Sequence, residues 1–447
     1  MKFGGTSVKD AVSIRRTIDI VKNRTNESTI VVVSAFAGIT NKLVEITELI
    51  SKRKSVEARN IIDEIRKIHL NTAKELDIYD FVVNFITEIC DELGRVIYAL
   101  DVIGEITGKS KDKIFAVGET LSSIVVAGYA KKIIPDTVHL DSNQLIRTDS
   151  NFTSAEVDFE SSKNYILQSI SALSSERYIA ICGGFIGSDK NGNTTTLGRG
   201  GSDYSAAVIA KCTSATSLEI WTDVDGILTS DPRMIPNAML LQEVSYIEAA
   251  ELAYFGAKVL HPKTIYPAIE SNIPVYVLNS YKPDGKGTLI TKKSPFANMI
   301  KAIAFRRNIT IINISSNRML GAYGFLAKVF DVFLLNETSV DLVATSEVSI
   351  SLTIDNDANL KDIISNRAII SVVGEGIRDT SGIASKFFGA IGGVNISMIS
   401  LGASEVNLSI VVSENDLENA VKLLHKEFFE NETLPDLFVK LKMGSKL

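Results

Sequence analysis

The sequence predicts an α/β protein, with a mostly parallel sheet layered between helices and a smaller, duplicated α+β module after it. Three observations carry that expectation. Short apolar segments bounded by turn residues alternate with longer helical patterns, glycine-rich turns follow several of them directly, and a strand–helix–strand–strand pattern occurs twice beyond the polar stretch YKPDGKGTLITKKSPF.

Taken in order, the chain opens MKFGGTSVKD, setting Lys2, Gly4 and Gly5 within one turn. A cation beside free backbone N–H groups is the raw material of an anion cradle. STIVVVSAF (28–36), RYIAICGGFIG (177–187), SLEIWTD (217–223) and IPVYVLN (273–279) are short, apolar on both faces and β-branched, as strands of a covered parallel sheet are. Ligands of such sheets bind beyond the carboxyl ends of the strands, where SAFAGITN, GGFIG and TDVDGI stand. Residues 40 to 110 read as charged amphipathic helices, a subdomain or lid with no chemistry of its own. GEITGKS (104–110) imitates a phosphate loop, but position 103 is Ile103 where that motif requires glycine, and a helical pattern rather than a strand precedes it. Further on, GFLAKVF (324–330) with VDLVATSEVSISL (340–352) is echoed by GIASKFF (382–388) with VNISMISLGASEVNLSI (394–410), a pairing that suggests regulation or assembly.

The chain has 447 residues, enough for about three domains of ~150 residues each. Its 47 basic and 53 acidic residues give a net charge of −6 with no basic block, which argues against nucleic acid or an anionic membrane as partner. Cys90, Cys182 and Cys212 are far apart and the four histidines scattered, so buried thiols in a reducing cytosol are expected rather than disulfides or zinc. No basic-then-apolar leader precedes the glycines and no apolar run approaches the ~18 residues of a membrane span, which points to the cytoplasm.

Three further segments join the opening turn. GGFIGSDKNGNTTTLGRGGSDYSAA (183–207) places glycines, Arg199 and Asp203 at the start of a helix, where dipole and free amides favour anions. WTDVDGILTSDPR (221–233) supplies Thr222, Asp223, Asp225, Asp231 and Arg233. FGAKVLHP (255–262) sets Lys258 in an otherwise apolar helix that Pro262 is expected to end.

KFGGTS, SAFAGITN, the VGE of AVGETLSS (116–123), LGRGGSDYSAA, WTDVDGI with TSDPR, and FGAKVLHP, in that order, resemble aspartate kinase of the amino acid kinase superfamily. The resemblance implies a three-layer αβα kinase domain over 1–295 and two ferredoxin-like ACT domains over 301–368 and 369–447, with strands exchanged between them. It further implies transfer of the γ-phosphoryl of ATP, with Mg²⁺ carried by the phosphates rather than by protein ligands, to the β-carboxylate of L-aspartate, on the route to lysine, threonine and methionine. By the same carry-over Lys2 and Asp203 are catalytic, and Ser34, Thr40, Glu119 and Arg199 hold the substrate. Lys2, Gly4, Gly5, Thr222, Asp223, Arg233 and Lys258 line the ATP side. Aspartate's carboxylate is already ionised at neutral pH, so no general base is needed and catalysis rests on alignment and charge.

Two departures from the family pattern stand out. Met1 directly precedes Lys2, so either the first strand is very short or the chain starts late; and Leu228 replaces an aromatic residue that could stack on adenine. MLGAYGFLAKVF with SVDLVATSEVS resembles the effector site of lysine-sensitive, single-function members. Met319, Gly324, Phe325, Leu326, Val340, Asp341, Thr345, Ser346 and Glu347 would hold lysine at an interface of a homodimer or homotetramer. Asn395 takes the place of Asp341 in the second repeat, which is therefore expected to be structural. Another amino acid kinase, such as glutamate 5-kinase, and a non-catalytic amino acid sensor are the rival expectations.

Overall fold

The computed structural model describes residues 1–24, 27–173, 177–256, 260–294, 296–316, 319, 323–355, 366–402, 404–430 and 434–441. Two compact units divide them, Met1–Gly226 with His261–Thr291, and Ile227–Leu260 with Lys292–Leu447.

The first unit begins with β1 (Lys2–Phe3), α1 (Ala11–Arg24) and β2 (Thr29–Val33). Four helices follow: α2 (Ile39–Ser51), α3 (Ser55–Glu75), α4 (Tyr79–Ile103) and α5 (Gly108–Ile133). Next come β3 (Thr137–His139), α6 (Ser142–Leu145), α7 (Phe159–Ser171), β4 (Ile179–Gly183), the hairpin β5 (Ile186–Ser188) and β6 (Thr194–Thr196), α8 (Gly201–Thr213) and β7 (Leu218–Thr222). The chain then enters the second unit for β8 (Leu240–Leu241), β9 (Glu243–Ser245) and α9 (Tyr246–Tyr254), and returns for α10 (Pro262–Glu270), β10 (Val275–Asn279) and β11 (Thr288–Thr291).

Seven strands of the first unit hydrogen-bond in the order β3-β4-β2-β1-β7-β10-β11, all parallel except the pair β10–β11. Strands β2, β7 and β10 lie within their predicted segments, while RYIAICGGFIG divides into β4 and the start of β5, which belongs to a separate hairpin. The first strand is only two residues long, yet it is central: Lys2 and Phe3 pair with Val32 and Val33 on one side and with Ile220 and Trp221 on the other. Phe3, Val31, Val33, Ile181 and Trp221 are buried in a core shared with α1 to α5, as strands covered on both faces must be.

GEITGKS connects two helices, with Gly104 capping α4 in the left-handed region and the Thr107 hydroxyl accepting from the Ser110 amide at the start of α5, so no strand-borne phosphate loop exists there. One expectation needs correction. Helix α5 is long and apolar enough to cross a membrane. Its Asp112, Glu119, Ser122 and Ser123 are buried with the rest of its inner face, so the apolarity belongs to a core helix. All three cysteines are buried and free, and burial raises their thiols to about 11 for Cys90 and Cys212 and about 12 for Cys182.

The second unit continues with β12 (Ala302–Ser315), α11 (Phe325–Leu335), β13 (Val340–Thr345), β14 (Ser349–Asp355), β15 (Arg367–Val373), α12 (Ile383–Ala390), β16 (Ile396–Leu401), β17 (Asn407–Ser413), α13 (Glu414–Phe429) and β18 (Phe438–Val439). The two expected strand–helix–strand–strand copies are present, merged in one antiparallel sheet ordered β13-β14-β12-β15-β17-β16. Strand β12 joins them: its first half pairs with β15 and its second half with β14, the register shifting between Arg306 and Ile309. The boundary expected between 368 and 369 falls inside β15.

Candidate active site

The parallel strands deliver their carboxyl ends to one edge, and each leaves through a loop bonded to its neighbour. Gly4 N donates to Trp221 O (3.1 Å), Ser34 N to Phe3 O (3.1 Å), Gly184 N to Val33 O (2.9 Å) and Ser280 N to Thr222 O (2.8 Å). The segments picked out in the sequence thus start side by side. Gly5 fits because the chain passes under the loop after β2, where a Cβ would lie 2.8 Å from the Ala35 carbonyl oxygen. Below that loop His69 of α3 stacks on Phe36 at 4.5 Å, and burial lowers its pKa to about 4, so it supports the loop as a neutral ring.

Lys2 is 8% exposed and projects from this edge, its Nζ 2.7 Å from Oδ1 of Asp203. Asp203 occupies the first turn of α8, where the helix dipole favours its charge, and Gly200 caps that helix at φ 72°. A cation and a carboxylate held at a helix N-terminus, beside the amides of a glycine turn, can receive a polyanion and orient it.

Glu119 lies buried in the middle of α5, against Gly183 at the end of β4. Burial raises its pKa to about 7, while the Ala35 amide, its own amide and the charge of Lys2 pull it partly back. Among the described residues its Oε2 has no hydrogen-bond partner. A buried carboxylate oxygen with free capacity calls for a cationic donor.

Of the other expected residues, Ser34 is half-buried on the loop after β2, Thr40 is exposed on the first turn of α2, and Arg199 is exposed on the loop before α8. Thr222 ends β7, and its hydroxyl donates to Asp223 Oδ1 at 3.2 Å. Arg233 belongs to the second unit, exposed and bonded through Nε to Asp231 Oδ1 at 3.0 Å, which holds Asp231 below the usual carboxylate range. Lys258 lies outside the described residues. Pro262 is the first residue of α10 rather than the stop of an earlier helix, because proline's fixed φ and missing N–H suit the first helical position.

In the second unit Gly324 is the left-handed cap of α11 at φ 74°, Phe325 and Leu326 open that helix, and Met319 N donates to Ser316 O at 3.0 Å. Val340, Asp341 and Thr345 lie on β13, with Ser346 and exposed Glu347 in the turn after it. The Asp341 side chain is only 4% exposed: its Oδ1 accepts from Tyr254 Oη (2.7 Å) and Arg306 Nη1 (2.9 Å), its Oδ2 has no partner among the described residues, and burial raises its pKa.

Sequence reasoning missed a cluster beside the β7 loop. Asn279 Nδ2 and Lys282 Nζ meet Asp225 at 2.6 and 2.8 Å and fix the Asp-Gly turn, while the Ser7 and Ser280 hydroxyls bond at 2.9 Å beneath. The strand IPVYVLN was visible; NSYK gave no sign that its side chains fold back onto that turn.

A lysine, a first-turn carboxylate and glycine amides at the carboxyl edge of a parallel sheet define a site of the phosphotransferase class. Residues 1–279 match the model of the amino acid kinase family and 370–428 that of an ACT domain. The chain is 36% identical to aspartokinase 1, chloroplastic, of Arabidopsis thaliana over 100% of this chain and 82% of that protein, and 35% identical to lysine-sensitive aspartokinase 3 of Escherichia coli over 96% and 98%. It therefore belongs to the amino acid kinase family, among the aspartokinases. Crystal structures of E. coli aspartokinase III, one with lysine and aspartate in the T-state and one with aspartate and ADP in the R-state, superpose with TM-scores of 0.83 and 0.81 at 35% identity, covering 96% of this chain and 98% and 99% of theirs.

Proposed function

We propose that this chain transfers the γ-phosphoryl group of ATP to the β-carboxylate of L-aspartate, releasing β-aspartyl phosphate and ADP, and that lysine inhibits it through the C-terminal repeats. The observation that carries this reading is the Lys2–Asp203 pair at the carboxyl end of β1, with the free carboxylate oxygen of Glu119 buried in the same unit. The E. coli relative's complexes with aspartate, ADP and lysine support the choice of ligands.

Aspartate's side chain arrives ionised and attacks directly. Lys2 balances the charge that spreads over the transferred group, and the amides of Gly4 and Gly5 complete the cradle. Asp203 sets the lysine's position. Glu119 takes the α-ammonium of aspartate, Arg199 grips a carboxylate, and Ser34 and Thr40 add hydroxyls. Thr222, Asp223, Arg233 and Lys258 serve the nucleotide, with Leu228 giving apolar contact in place of a stacking ring. Asp203, a single carboxylate already tied to a lysine, suits Mg²⁺ held by ATP phosphates better than a bare ion. Bound there, Mg²⁺ would screen the phosphate charge.

Met319, Gly324 to Leu326, Val340, Asp341 and Thr345 to Glu347 form the lysine site, with Asp341 and Glu347 as the acids. The kinase domain is assigned to 1–295 and the two repeats to 301–368 and 369–447. Helix α11 supports assembly into dimers or tetramers: its sequence FLAKVFDVFLL has no buried residue, and Leu335 is 83% exposed. The cytoplasm is the assigned compartment.

Release of ADP, followed with L-aspartate, L-glutamate and D-aspartate in turn, tests the reading. We expect turnover with L-aspartate alone; equal or better turnover with L-glutamate would reassign the substrate.

A further inference from the structure

Helix α9 falls within the stretch matched by the kinase family, yet it packs in the second unit. Its residues Glu248, Glu251 and Tyr254, spaced by three, share one face. Each is bonded to a different part of the repeat sheet. Fully buried Glu248 accepts from fully buried Lys301 (Nζ to Oε2, 2.7 Å), from the Glu375 amide (2.7 Å) and from the Ser245 amide of its own capping box (2.8 Å). Glu251 accepts from Ser404 Oγ (2.9 Å) and Asn407 Nδ2 (2.6 Å) of the second repeat. Tyr254, the last residue of α9, donates to Asp341 of the first repeat at 2.7 Å.

The first two contacts fix the helix to the sheet; the third touches a proposed effector residue. Arg306 ties that end together: its guanidinium meets Asp341, donates to the Tyr254 carbonyl and lies over the Tyr254 ring at 4.8 Å. Two residues on, Gly256 at φ 116° lies so near β12 that a Cβ would stand 2.3 Å from the Phe305 carbonyl oxygen. The chain then regains the first unit at His261, beyond Lys258.

We infer that Tyr254 is the residue through which an amine bound at Asp341 acts on the catalytic unit, with α9 as the lever. The inference rests on the lysine-site reading above. An ammonium approaching Oδ2 of Asp341 brings the charge that Arg306 now supplies, so it competes with both Arg306 and the Tyr254 hydroxyl for the carboxylate. Losing those bonds frees the last turn of α9 and Gly256 after it, while Glu248 and Glu251 keep the rest of the helix in place. Effector binding thus becomes a local displacement at the end of α9, from which the chain runs on to the first unit at His261.

The test compares full-length wild type with Tyr254→Phe, which removes only the hydroxyl. Lysine binding is measured by calorimetry, lysine inhibition by ADP release, and α9 protection by hydrogen exchange with and without lysine. Because Tyr254→Phe removes in advance one of the bonds that lysine breaks, the expected result is basal activity lowered toward the lysine-inhibited level, exchange at 250–256 already raised without lysine, lysine affinity unchanged or up to about threefold tighter, and a smaller further response to lysine. Basal activity, exchange at 250–256 and fold-inhibition by lysine all equal to wild type would overturn the inference, as would loss of lysine binding, since Tyr254 would then only build the site. A wild type that neither binds lysine nor responds to it would overturn the lysine-site reading itself, and the inference with it.

Discussion

At the scale of single residues, Glu119 is the most informative group because its burial conflicts with its charge. Below its ordinary value of 4.5 the carboxyl is neutral in folded and unfolded chains alike; between there and about 7 the unfolded chain ionises while the folded one stays protonated. The stability from the neutral buried form is therefore lost as pH rises through that window. Binding the ammonium of aspartate needs the ionised form, so kcat/KM for aspartate should rise with pH through a midpoint near pH 7 and level off about a unit above it. In Glu119→Gln the rise should vanish and kcat/KM fall about 100-fold, roughly 2–3 kcal/mol of lost charge-assisted bonding. A profile that keeps its limb in the variant would move the titration to another group. The glycines, Lys2 and Asp203 were legible because a chain rarely gathers such residues beside apolar strands for packing alone, whereas Glu119, in the middle of α5, was reached only through the family resemblance. What linear order hid was the partner of each: that Asp341 is buried under Tyr254 and Arg306, and that Asp225 is pinned by Asn279 and Lys282, depends on residues 35 to 87 positions away.

At the scale of elements, β2, β4, β7 and β10 were readable from their continuous β-branched runs, and the repeats from their echo. Two-residue β1 and three-residue β3 are too short to show such a run, and two longer elements were hidden as well. Strand β12 serves both repeats, and nothing in AIAFRRNITIINIS marks where one partner gives way to the other. Helix α9 carries kinase-family sequence yet gives up its polar face to the repeat sheet, a tertiary choice its capping box could not reveal. The buried Lys301–Glu248 pair fixes this arrangement. Lys301→Met strands a carboxylate in the interior and should cost the second unit about 3–5 kcal/mol in denaturant unfolding, with part restored by adding Glu248→Gln. An unchanged transition would show that the pair contributes nothing to the unit's stability. At β13, Asp341→Asn should raise the lysine concentration for half-inhibition at least tenfold, roughly 1.4 kcal/mol or more, whereas substitution of exposed Asn395 should leave it unchanged. Equal effects at both positions would mean that both repeats bind effector.

At the scale of the molecule, a phosphoryl-transfer edge and a duplicated sheet are joined by a segment, Ile227–Leu260, whose ends lead from the Asp-Gly turn and toward the α10 start. With the further crossing at Thr291–Lys292, the chain passes between the two units three times. The account depends first on the chemistry, and trapping of the acyl phosphate as its hydroxamate tests that most directly. With ATP, Mg²⁺ and hydroxylamine, wild type should form aspartyl hydroxamate from L-aspartate and none from L-glutamate. Lys2→Met should form it about 10³-fold more slowly, the loss typical of a group that stabilises transition-state charge. Hydroxamate formed equally fast by Lys2→Met, or none formed by folded wild-type protein, would contradict the assignment of this site.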